Sequence, residues 1–369
     1  MKQRYLTILL LIALALPILS GCSASALTSE EQVTVTDLLG RQVSLPATVE
    51  RVVAIGPGAL RLYVYAGNLE YVVGVEQMET GGVSGRPYML ANPSLAKLPV
   101  IGQGGPNNAP DPEKLLTVTP DVIFSTYATD AAAADELQVK TGIPVVVLSY
   151  GGFGITSIFG QTILDSLMLV GQVTGDTVKA QAATDFIKQA QQDLDNRTKD
   201  IPDADKPTVY VGGLGSKGTH GIESTQAQYA LLDVIHAKNV VDETGKSGSV
   251  MIDKEKLIEW DPDFIFIDQG GYASVVEDYQ KSSAFYELLS AVKNDMVYSQ
   301  LPYNNYSTNI DTAIADAYYL GKILYPEAFA DIDPAKKADE IYQVMLGQPL
   351  YDQMAGAFGE FGKLKLSDN

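Results

Sequence analysis

One phrase of this sequence is written twice. It runs as PEKLLTVTPDVIF over 112–124 and as KEKLIEWDPDFIF over 254–266, and the twelve positions that begin at Glu113 and Glu255 share seven identities. Each copy has the pattern of a short helix followed by a buried strand. Because each copy lies at the same place within its half of the chain, the repeat predicts two lobes of the same α/β plan. The alternative is one domain that contains two similar helix-to-strand units.

Strand patterns alternate with helix patterns in both halves. A buried strand, a Gly-Pro-Gly turn and a helix occupy 51–67, and another strand is predicted at 143–150. The alternation resumes after a break rich in Pro and Asp at 200–207, and a helix is predicted over 225–237. Such alternation is typical of a parallel sheet with helices on its faces. Sheets of this kind bind ligands beyond the carboxyl ends of their strands.

The middle of the chain, from Ile155 to Lys199, has no strand pattern. Asp176 follows Gly175 and is predicted to cap a helix that extends to Lys199. Apolar residues line one face of that helix at spacings of three and four: Ala180, Ala183, Ile187, Ala190 and Leu194. A helix of this length measures about 36 Å and could cross between two lobes. The alternative is an ordinary surface helix on one domain.

The N-terminus has the pattern of an export signal. Lys2 and Arg4 precede an apolar run over 6–16 that is too short to span a membrane comfortably. The sequence LSGC at 19–22 then looks like a bacterial lipobox, in which Cys22 is lipidated and becomes the first mature residue. We therefore predict a signal peptide over 1–21 and a lipidated, polar tether over 22–32. The alternative is an ordinary cleaved signal with an incidental cysteine.

Composition excludes several classes of function. The formal net charge of −19 disfavours nucleic acid as a partner. Two histidines are too few for a His-rich zinc or manganese site. GLGSKG at 213–218 matches a dinucleotide-binding pattern, but an exported protein meets little NAD, so a loop that serves a ligand cleft is the better interpretation. No nucleophile–base pair is evident, and no catalytic or metal-ligating residue is predicted.

The chain resembles the helical-hinge (class III) substrate-binding lipoproteins of ABC transporters, which bind iron–siderophores, haem, vitamin B12 and some oxyanions. The resemblance covers most of the mature chain and implies an α/β fold with two Rossmann-like lobes, a long inter-lobe α-helix and a ligand cleft between the lobes. The implied divisions are an N-terminal lobe over 33–154, a helical linker over 155–206, and a C-terminal lobe with terminal helices over 207–369. Besides the lipobox and the long helix, the resemblance rests on four motifs: the hairpin DLLGRQVSLP (37–46), RVVAIGP (51–57), PEKLLTVTPDVIF (112–124) and TGIPVVVL (141–148).

Candidate ligand-binding residues lie in the turns that follow the strands. Twenty Tyr against ten Phe favour a site that packs flat organic surface and also forms hydrogen bonds with it. Tyr127, just past a strand end, is the first candidate, and Arg61 and Arg86 are the candidate cations for an anionic ligand. The other candidates are Tyr88, Tyr150, Tyr272, Tyr303 and Tyr306. The alternatives are partly buried surface tyrosines and arginines in structural ion pairs.

The leading prediction for the ligand is a ferric chelate of the siderophore type. Haem, with Tyr127 as its axial ligand, is the first alternative, and a corrinoid or an oxyanion such as molybdate comes next. No resident cofactor is predicted. An extracytoplasmic enzyme on the same scaffold is the alternative from another functional class.

The resemblance also implies a partner and a location. The partner is an ABC permease dimer with its cytoplasmic ATPase, and the binding protein is a monomer held to the membrane through its lipid anchor only. Its place is extracytoplasmic, in the periplasm or at the outer face of the cytoplasmic membrane. The family docks through one surface glutamate on each lobe, and Glu113 and Glu255 match that role. The alternative for both is a simple preference of carboxylates for helix N-termini.

Overall fold

The computed structural model describes residues 32–82, 85–152, 154–215 and 218–366. The predicted signal peptide and the lipidated Cys22 lie outside the described residues. In the described part, the strands are β1 (Gln32–Thr36), β2 (Gln42–Pro46), β3 (Val52–Ile55), β4 (Val72–Gly74), β5 (Val122–Ser125), β6 (Val145–Val147), β7 (Thr208–Gly212), β8 (Ser224–Ala227), β9 (Lys238–Asn239), β10 (Gly248–Met251), β11 (Phe264–Asp268) and β12 (Val297–Gln300).

The α-helices alternate with these strands and then close the chain. They are α1 (Ala59–Ala66), α2 (Gln77–Thr80), α3 (Pro87–Ala91), α4 (Pro112–Thr117), α5 (Ala131–Thr141), α6 (Gln161–Thr174), α7 (Thr177–Thr198), α8 (Ala230–Asp233), α9 (Lys254–Trp260), α10 (Tyr272–Tyr286), α11 (Ser290–Lys293), α12 (Ile310–Leu324), α13 (Pro334–Leu346) and α14 (Tyr351–Phe358).

Two parallel four-stranded sheets of equal topology form the two lobes. The first sheet has the order β4-β3-β5-β6 and the second has the order β9-β7-β11-β12. Counted along the chain, both sheets therefore have the order 2-1-3-4. The repeated phrase forms the third strand of each sheet and the helix before it, namely α4–β5 and α9–β11. The prediction of two α/β lobes on one plan is confirmed.

The two copies of the phrase begin their helices by different local means. In the first copy, the Asp111 side chain accepts a hydrogen bond from the Lys114 amide, and Pro112 occupies the first turn, where a missing N–H costs nothing. In the second copy, Asp253 is the N-cap without a side-chain bond, and Asp261 ends the helix in the left-handed conformation. The strands that follow, β5 and β11, are almost wholly buried, as expected for parallel strands covered on both faces.

The long helix α7 joins the lobes. Its 22 residues span about 33 Å, and the Asp176 side chain accepts a hydrogen bond from the Lys179 amide, as a capping residue does. Near its start, Lys179 Nζ donates to the Gly67 carbonyl of the first lobe at 2.7 Å. Near its end, Arg197 Nη1 donates to the Ala328 carbonyl of the second lobe at 2.9 Å. The prediction of an inter-lobe helix is confirmed, one residue shorter at each end.

One hydrophobic core continues through both lobes and the helix between them. It contains Val52 and Phe124 from the first sheet, Val209 and Phe266 from the second, and Ile187 from α7. Between Gly154 and Thr174, one helical stretch of the described chain is long and apolar enough to cross a membrane, but 56% of its most apolar window is buried inside the protein. That stretch includes α6, which packs against α7 as a core helix.

A shared core and a continuous helix should limit the closure of the two lobes on a ligand. We expect a change in inter-lobe angle on the order of a few degrees, because a continuous helix resists the large hinge closure that flexible strand linkers allow. Small-angle X-ray scattering with and without ligand measures this as a nearly constant radius of gyration. A marked decrease on ligand addition would show that α7 bends or that the core between the lobes opens.

Two local predictions have different outcomes. The hairpin is confirmed as β1 and β2, and it covers the edge strand β6 through a 3.2 Å hydrogen bond from Leu38 N to Val147 O. The predicted helix over 225–237 is wrong, because its first part is β8 and only α8 is helical. β8 pairs antiparallel with β10, and left-handed backbone at Gln228 and His236 limits the helix to one turn. A distant strand partner therefore overrides local helix propensity here.

Candidate functional site

The carboxyl edges of the two sheets face a cleft, and one loop of the second lobe crosses to the first. This loop, residues 301–309, follows β12 and leads into α12. Asn305 is its main contact with the first lobe, since its carbonyl accepts a 2.8 Å hydrogen bond from Arg61 Nη2. Asn309 Nδ2 also donates to the carbonyl of Gly85 at 2.8 Å. Groups from both lobes thus meet around two arginines.

Arg61 is fully buried in the first turn of α1. Its Nη1 donates to the phenol oxygen of Tyr150 at 3.4 Å, and its guanidinium lies 4.8 Å from the centroid of the Tyr88 ring. Its Nε has no hydrogen-bond partner within the described chain. Burial disfavours the charged form, but the surrounding phenol groups more than offset this and hold the pKa of Arg61 above its usual value. The site therefore contains a permanent, incompletely paired positive charge.

Arg86 is the second cation and lies just before α3. Its Nε donates to Asn305 Oδ1 at 3.3 Å, and its Nη1 donates to the Met78 carbonyl. The same nitrogen lies 3.5 Å from a carboxylate oxygen of Glu79. The ring of Tyr306 completes the surroundings, with its centroid 5.9 Å from the guanidinium carbon. Both arginines are thus held by the one residue Asn305.

Two buried carboxyl groups, of Glu76 and Glu79, belong to this site and were missed by sequence reasoning. Glu76 Oε2 accepts a hydrogen bond from the Gly56 amide at 2.9 Å, and Glu79 Oε2 accepts one from the Tyr88 hydroxyl at 2.7 Å. Burial raises the pKa of both carboxyls, that of Glu76 to about 7, with a smaller contribution from Glu79 beside it. Both follow β4 in the segment EQMET, and acidic residues after a strand are ordinarily expected to be exposed.

Close backbone contacts set the shape of the first-lobe side. Gly56 has φ +88, and a Cβ there would lie 2.5 Å from the Tyr127 amide nitrogen. Gly104 has φ +77, and a Cβ there would lie 2.8 Å from the Cβ of Glu76. The loops after β3, β4 and β5 therefore touch without side chains between them, which places Tyr127 and Glu76 on either side of Gly56.

The tyrosines differ in their access to a ligand. Tyr127 and Tyr150 are half-buried at strand ends, and the Tyr150 hydroxyl donates to the Gly58 carbonyl at 2.9 Å. Tyr306 is 49% exposed and has a left-handed backbone. Tyr150 and Tyr306 lie with Arg61 and Arg86 around the loop contact, and Tyr127 lies against Gly56 at the end of β5. The ligand-binding assignment of all of these residues stays a prediction.

The remaining predicted tyrosines lie elsewhere or deeper. Tyr88 is fully buried beneath Arg61, so its ring supports the guanidinium from below. Tyr303 is buried against the ring of Tyr229, at a centroid distance of 6.1 Å. Tyr272 begins α10 and lines a shallow pocket of the second lobe with Phe358 and Phe361. Tyr88 and Tyr303 are therefore not part of the exposed surface around the two arginines, whereas the pocket of Tyr272 reaches toward the Arg86 loop, because Phe358 lies against Gly85.

A buried polar network holds the second-lobe loops in place. Asp316 Oδ1 accepts from the Leu301 amide at 3.1 Å, and Asp268 Oδ1 accepts from the Gly270 amide at 2.8 Å. Gln300 Nε2 donates to Asp268 Oδ2 at 3.3 Å and thereby links the two strand ends. Burial raises the pKa of Asp268 to about 7 and that of Asp316 well above its usual value.

These raised pKa values predict the direction in which pH changes stability. Between pH 4 and 7 the native protein binds more protons at Glu76 and Asp268 than the unfolded chain does, so the free energy of unfolding falls as pH rises through this window. We expect each of the two groups to contribute a loss on the order of 2 kcal/mol between pH 5 and pH 8. Thermal unfolding at constant ionic strength measures it. The double variant Glu76→Gln, Asp268→Asn should flatten the profile, and a wild-type melting temperature that rises toward pH 8 would contradict the prediction.

Glu113 and Glu255 are exposed in the first turns of α4 and α9. Each helix runs back toward the amino edge of its sheet, where the next parallel strand starts. The N-terminus of each helix therefore lies toward the carboxyl edge, on the cleft side of its lobe.

In the described residues, no group of three or more His, Cys, Asp or Glu side chains could hold a metal ion.

Known proteins share both the sequence pattern and the fold. The family described as "Periplasmic binding protein" matches residues 80–302. The molybdate-binding protein MolA of Haemophilus influenzae is 27% identical over 346 residues, which cover 88% of this chain and 93% of that protein. The crystal structure of MolA bound to molybdate has a TM-score of 0.65 at 21% identity, covering 86% of this chain and 98% of that chain.

A periplasmic solute binding protein from Veillonella parvula DSM 2008 has a TM-score of 0.69 at 18% identity, covering 89% of this chain and 97% of that chain. The two structural likenesses show the fold, and they agree with the two lobes and the connecting helix described above. The family match spans more than half of the chain, from the loop that carries Arg86 to the end of β12. The chain belongs to the periplasmic binding protein family, the extracytoplasmic solute-binding components of ABC importers.

Proposed function

We propose that this protein captures an anionic solute in its inter-lobe cleft, that the anion is an oxyanion such as molybdate, and that it delivers this anion to an ABC permease. One observation carries the proposal. Arg61 is fully buried, permanently charged and has an Nε without a partner in the described chain. A guanidinium has five N–H donors in a planar fork and binds oxyanions well. An oxyanion would satisfy the unused donor and balance the charge.

The surroundings of Arg61 support the same ligand class. Arg86 brings a second guanidinium to the same loop residue, Asn305, so an anion that displaces Asn305 meets two cations. The helix α1 begins at Gly58 without a side-chain cap, and its first turn adds a partial positive charge beside Arg61. The similarity to a molybdate-binding protein over 88% of the chain agrees with this chemistry.

A ferric chelate is the second candidate, and a specific observation favours it. Tyr306 is 49% exposed over Arg86, so aromatic surface adjoins this cation, and Tyr127 is half-buried at the end of β5. Such surface suits the flat organic shell of an anionic siderophore. Haem with Tyr127 as axial ligand and a corrinoid use the same surface. Each of these ligands would be bound stoichiometrically, without turnover.

Calorimetric titration with separate ligands tests the proposal. Molybdate and tungstate should bind with a 1:1 stoichiometry and raise the melting temperature, and sulfate and phosphate serve as competing oxyanions of other size and charge. A ferric catecholate, haemin and cobalamin form the second set, read by their visible spectra. Binding of a ferric chelate with no response to molybdate would transfer the proposal to the second candidate. Binding of none of these anions would contradict an anion-binding cleft.

We also propose that Cys22 is the lipidated N-terminus of the mature protein. The Cys22→Ser variant should then leave the membrane fraction and appear in the soluble extracytoplasmic fraction, because a protein without its acyl chains has no anchor. Immunoblots of fractionated cells measure the distribution. A variant that stays with the membrane would show that another segment anchors the chain.

For the permease we propose contacts through Glu113 and Glu255. Both carboxylates are exposed, and both lie on the cleft side of lobes that share one topology. A dimeric permease with two-fold symmetry can present one matching arginine to each.

A further inference from the structure

We propose that Asn305 is a built-in competitor of the ligand: its two oxygens occupy the arginines of the cleft in the free protein, and an oxyanion binds by displacing them. The inference rests on the proposed function and goes beyond it, because it gives the 301–309 loop control over anion affinity. It makes Asn305, which sequence reasoning did not single out, the residue that decides how strongly an anion must interact with the arginines before it is bound.

Asn305 presents two oxygen atoms to two different arginines. Its main-chain carbonyl accepts a hydrogen bond from Arg61 Nη2 at 2.8 Å, and its side-chain Oδ1 accepts one from Arg86 Nε at 3.3 Å. Two oxygens of one bound anion could take the same two donors. One residue of the second lobe therefore imitates the ligand at the surface of the first lobe.

The exchange of Asn305 for an anion favours the anion chiefly at Arg61. The acceptors that the structure gives this buried guanidinium, the Tyr150 hydroxyl and the Asn305 carbonyl, are both neutral. A hydrogen bond to an ionised acceptor is roughly twice as strong as one to a neutral acceptor. Arg86 gains less, because its Nη1 already lies 3.5 Å from a carboxylate oxygen of Glu79. An anion that interacts weakly with Arg61 therefore leaves the loop in place.

The tip of the loop, residues 305–307, has a strained backbone that its contacts with the first lobe hold in place. Tyr306 has φ +51 and Ser307 has φ +117, values that side chains other than glycine rarely adopt. The Tyr306 ring lies 5.9 Å from the Arg86 guanidinium, and a Cβ on Gly58 would lie 2.9 Å from the Cβ of Ser307. Movement of the tip away from the arginines would relieve this strain, which favours displacement by a ligand.

The base of the loop is closed independently of the arginines. The Asn309 amide donates to the Tyr303 carbonyl at 2.7 Å, and Asn304 forms an antiparallel bridge with Thr308. Asn309 Nδ2 also donates to the Gly85 carbonyl at 2.8 Å. The tip can therefore leave the cleft while β12, α12 and the base of the loop keep their places.

A competitor of this kind has a defined thermodynamic signature. Every anion that occupies both arginines must break the same contacts of Asn305, so the loop lowers all their affinities by one common factor. The ratio of two affinities stays the same, whereas a weak ligand falls below the concentration range in which it would occupy the site. A residue that touches the ligand directly would instead change the affinities of different anions by different factors.

Calorimetric titration of the intact mature protein with molybdate and with tungstate, in a buffer free of other oxyanions, tests the inference. Asn305→Ala removes the acceptor of Arg86 and loosens the tip, so both affinities should rise by about tenfold and by the same factor. Asn305→Asp places a carboxylate of the same shape between the arginines, so both affinities should fall by about tenfold or more. Without ligand, the melting temperature should fall in Asn305→Ala and rise in Asn305→Asp.

The neighbouring asparagine provides a matched control. Asn304 is exposed, and its Oδ1 accepts from Thr308 Oγ1 at 3.2 Å, so Asn304→Ala makes the same change without removing a contact to the arginines and should keep the wild-type affinities. Near-ultraviolet circular dichroism establishes that each variant is folded.

Unchanged or weaker binding in Asn305→Ala, a gain for only one of the two anions, or wild-type affinity in Asn305→Asp overturns the competitor while the anion site stands. If molybdate and tungstate bind neither the wild type nor Asn305→Ala, the oxyanion proposal fails and the inference fails with it.

Discussion

Replacing Arg61 by methionine should weaken anion binding by about 100-fold or more and lower the free energy of unfolding by about 3–5 kcal/mol. The binding loss follows because Arg61 supplies the buried positive charge and the unused Nε donor. The stability loss follows because Tyr150 and the Asn305 carbonyl lose their donor, and Glu79 loses a nearby cation. Methionine fills a similar volume with apolar atoms, so the losses in anion affinity and in the free energy of unfolding result from the missing charge and hydrogen bonds.

Two variants separate binding from stability in this test. Arg197→Met removes another arginine that pairs with Asp193 and Asp331 at the far end of α7. It should lower the melting temperature and leave the dissociation constant of molybdate unchanged. Arg61→Lys keeps the charge without the planar fork and should recover part of both losses. Calorimetric titration is performed at a temperature where near-ultraviolet circular dichroism shows every variant folded. Wild-type affinity in folded Arg61→Met would exclude Arg61 from the ligand site.

Reversing both docking carboxylates, as Glu113→Arg with Glu255→Arg, should abolish uptake and leave ligand affinity and melting temperature nearly unchanged. Both side chains are exposed in the first turns of their helices, so their replacement disturbs no buried contact. A single exposed ion pair contributes about 0–1 kcal/mol. Two carboxylates placed alike on the two lobes would together set the register and speed the encounter with a two-fold symmetric permease, and two arginines would repel it.

Uptake of labelled ligand into cells measures transport, and a matched double variant controls for net charge. Glu136→Arg with Glu340→Arg reverses two other exposed carboxylates, which pair with Lys140 and Lys337 in the structure. It makes the same change in charge and should transport normally. Transport by the Glu113, Glu255 double variant at the wild-type rate would reject the docking surface. A loss of ligand affinity in that variant would show that these carboxylates serve the cleft instead.

The second lobe shows why part of the fold escaped prediction. The helix pattern over 225–237 is real as a local preference, yet 224–227 forms β8 because 248–251 pairs with it across the 20 residues of 228–247. The partner strand β10 has exposed and buried residues in alternation, a weak pattern over only four residues. The local sequence pattern of a short strand with a distant partner is too weak to outweigh the helical spacing of apolar residues at the same positions.

The candidate site likewise contains some residues that the sequence predicted and others that only the structure identified. Arg61 and Arg86 were expected as cations, and the structure brings them together on Asn305. The carboxyl groups of Glu76 and Glu79 were not expected, because nothing in EQMET distinguishes a buried acid from an exposed one. Only the packing of Gly104 and Tyr88 around them removes water and shifts their pKa values.

The sequence by itself determined the two-lobed α/β plan, the helix between the lobes and the family of the chain, since these depend on local periodicity and on a motif repeated in equivalent places. Only the tertiary structure decided which charges are buried, which arginine donor stays unused and which tyrosines are buried. The physical reason is that burial and hydrogen bonding are properties of neighbours far apart in sequence, as Arg61, Glu76, Tyr150 and Asn305 are. A residue's type limits its chemistry, but its desolvation and its partners set its pKa and its ligand.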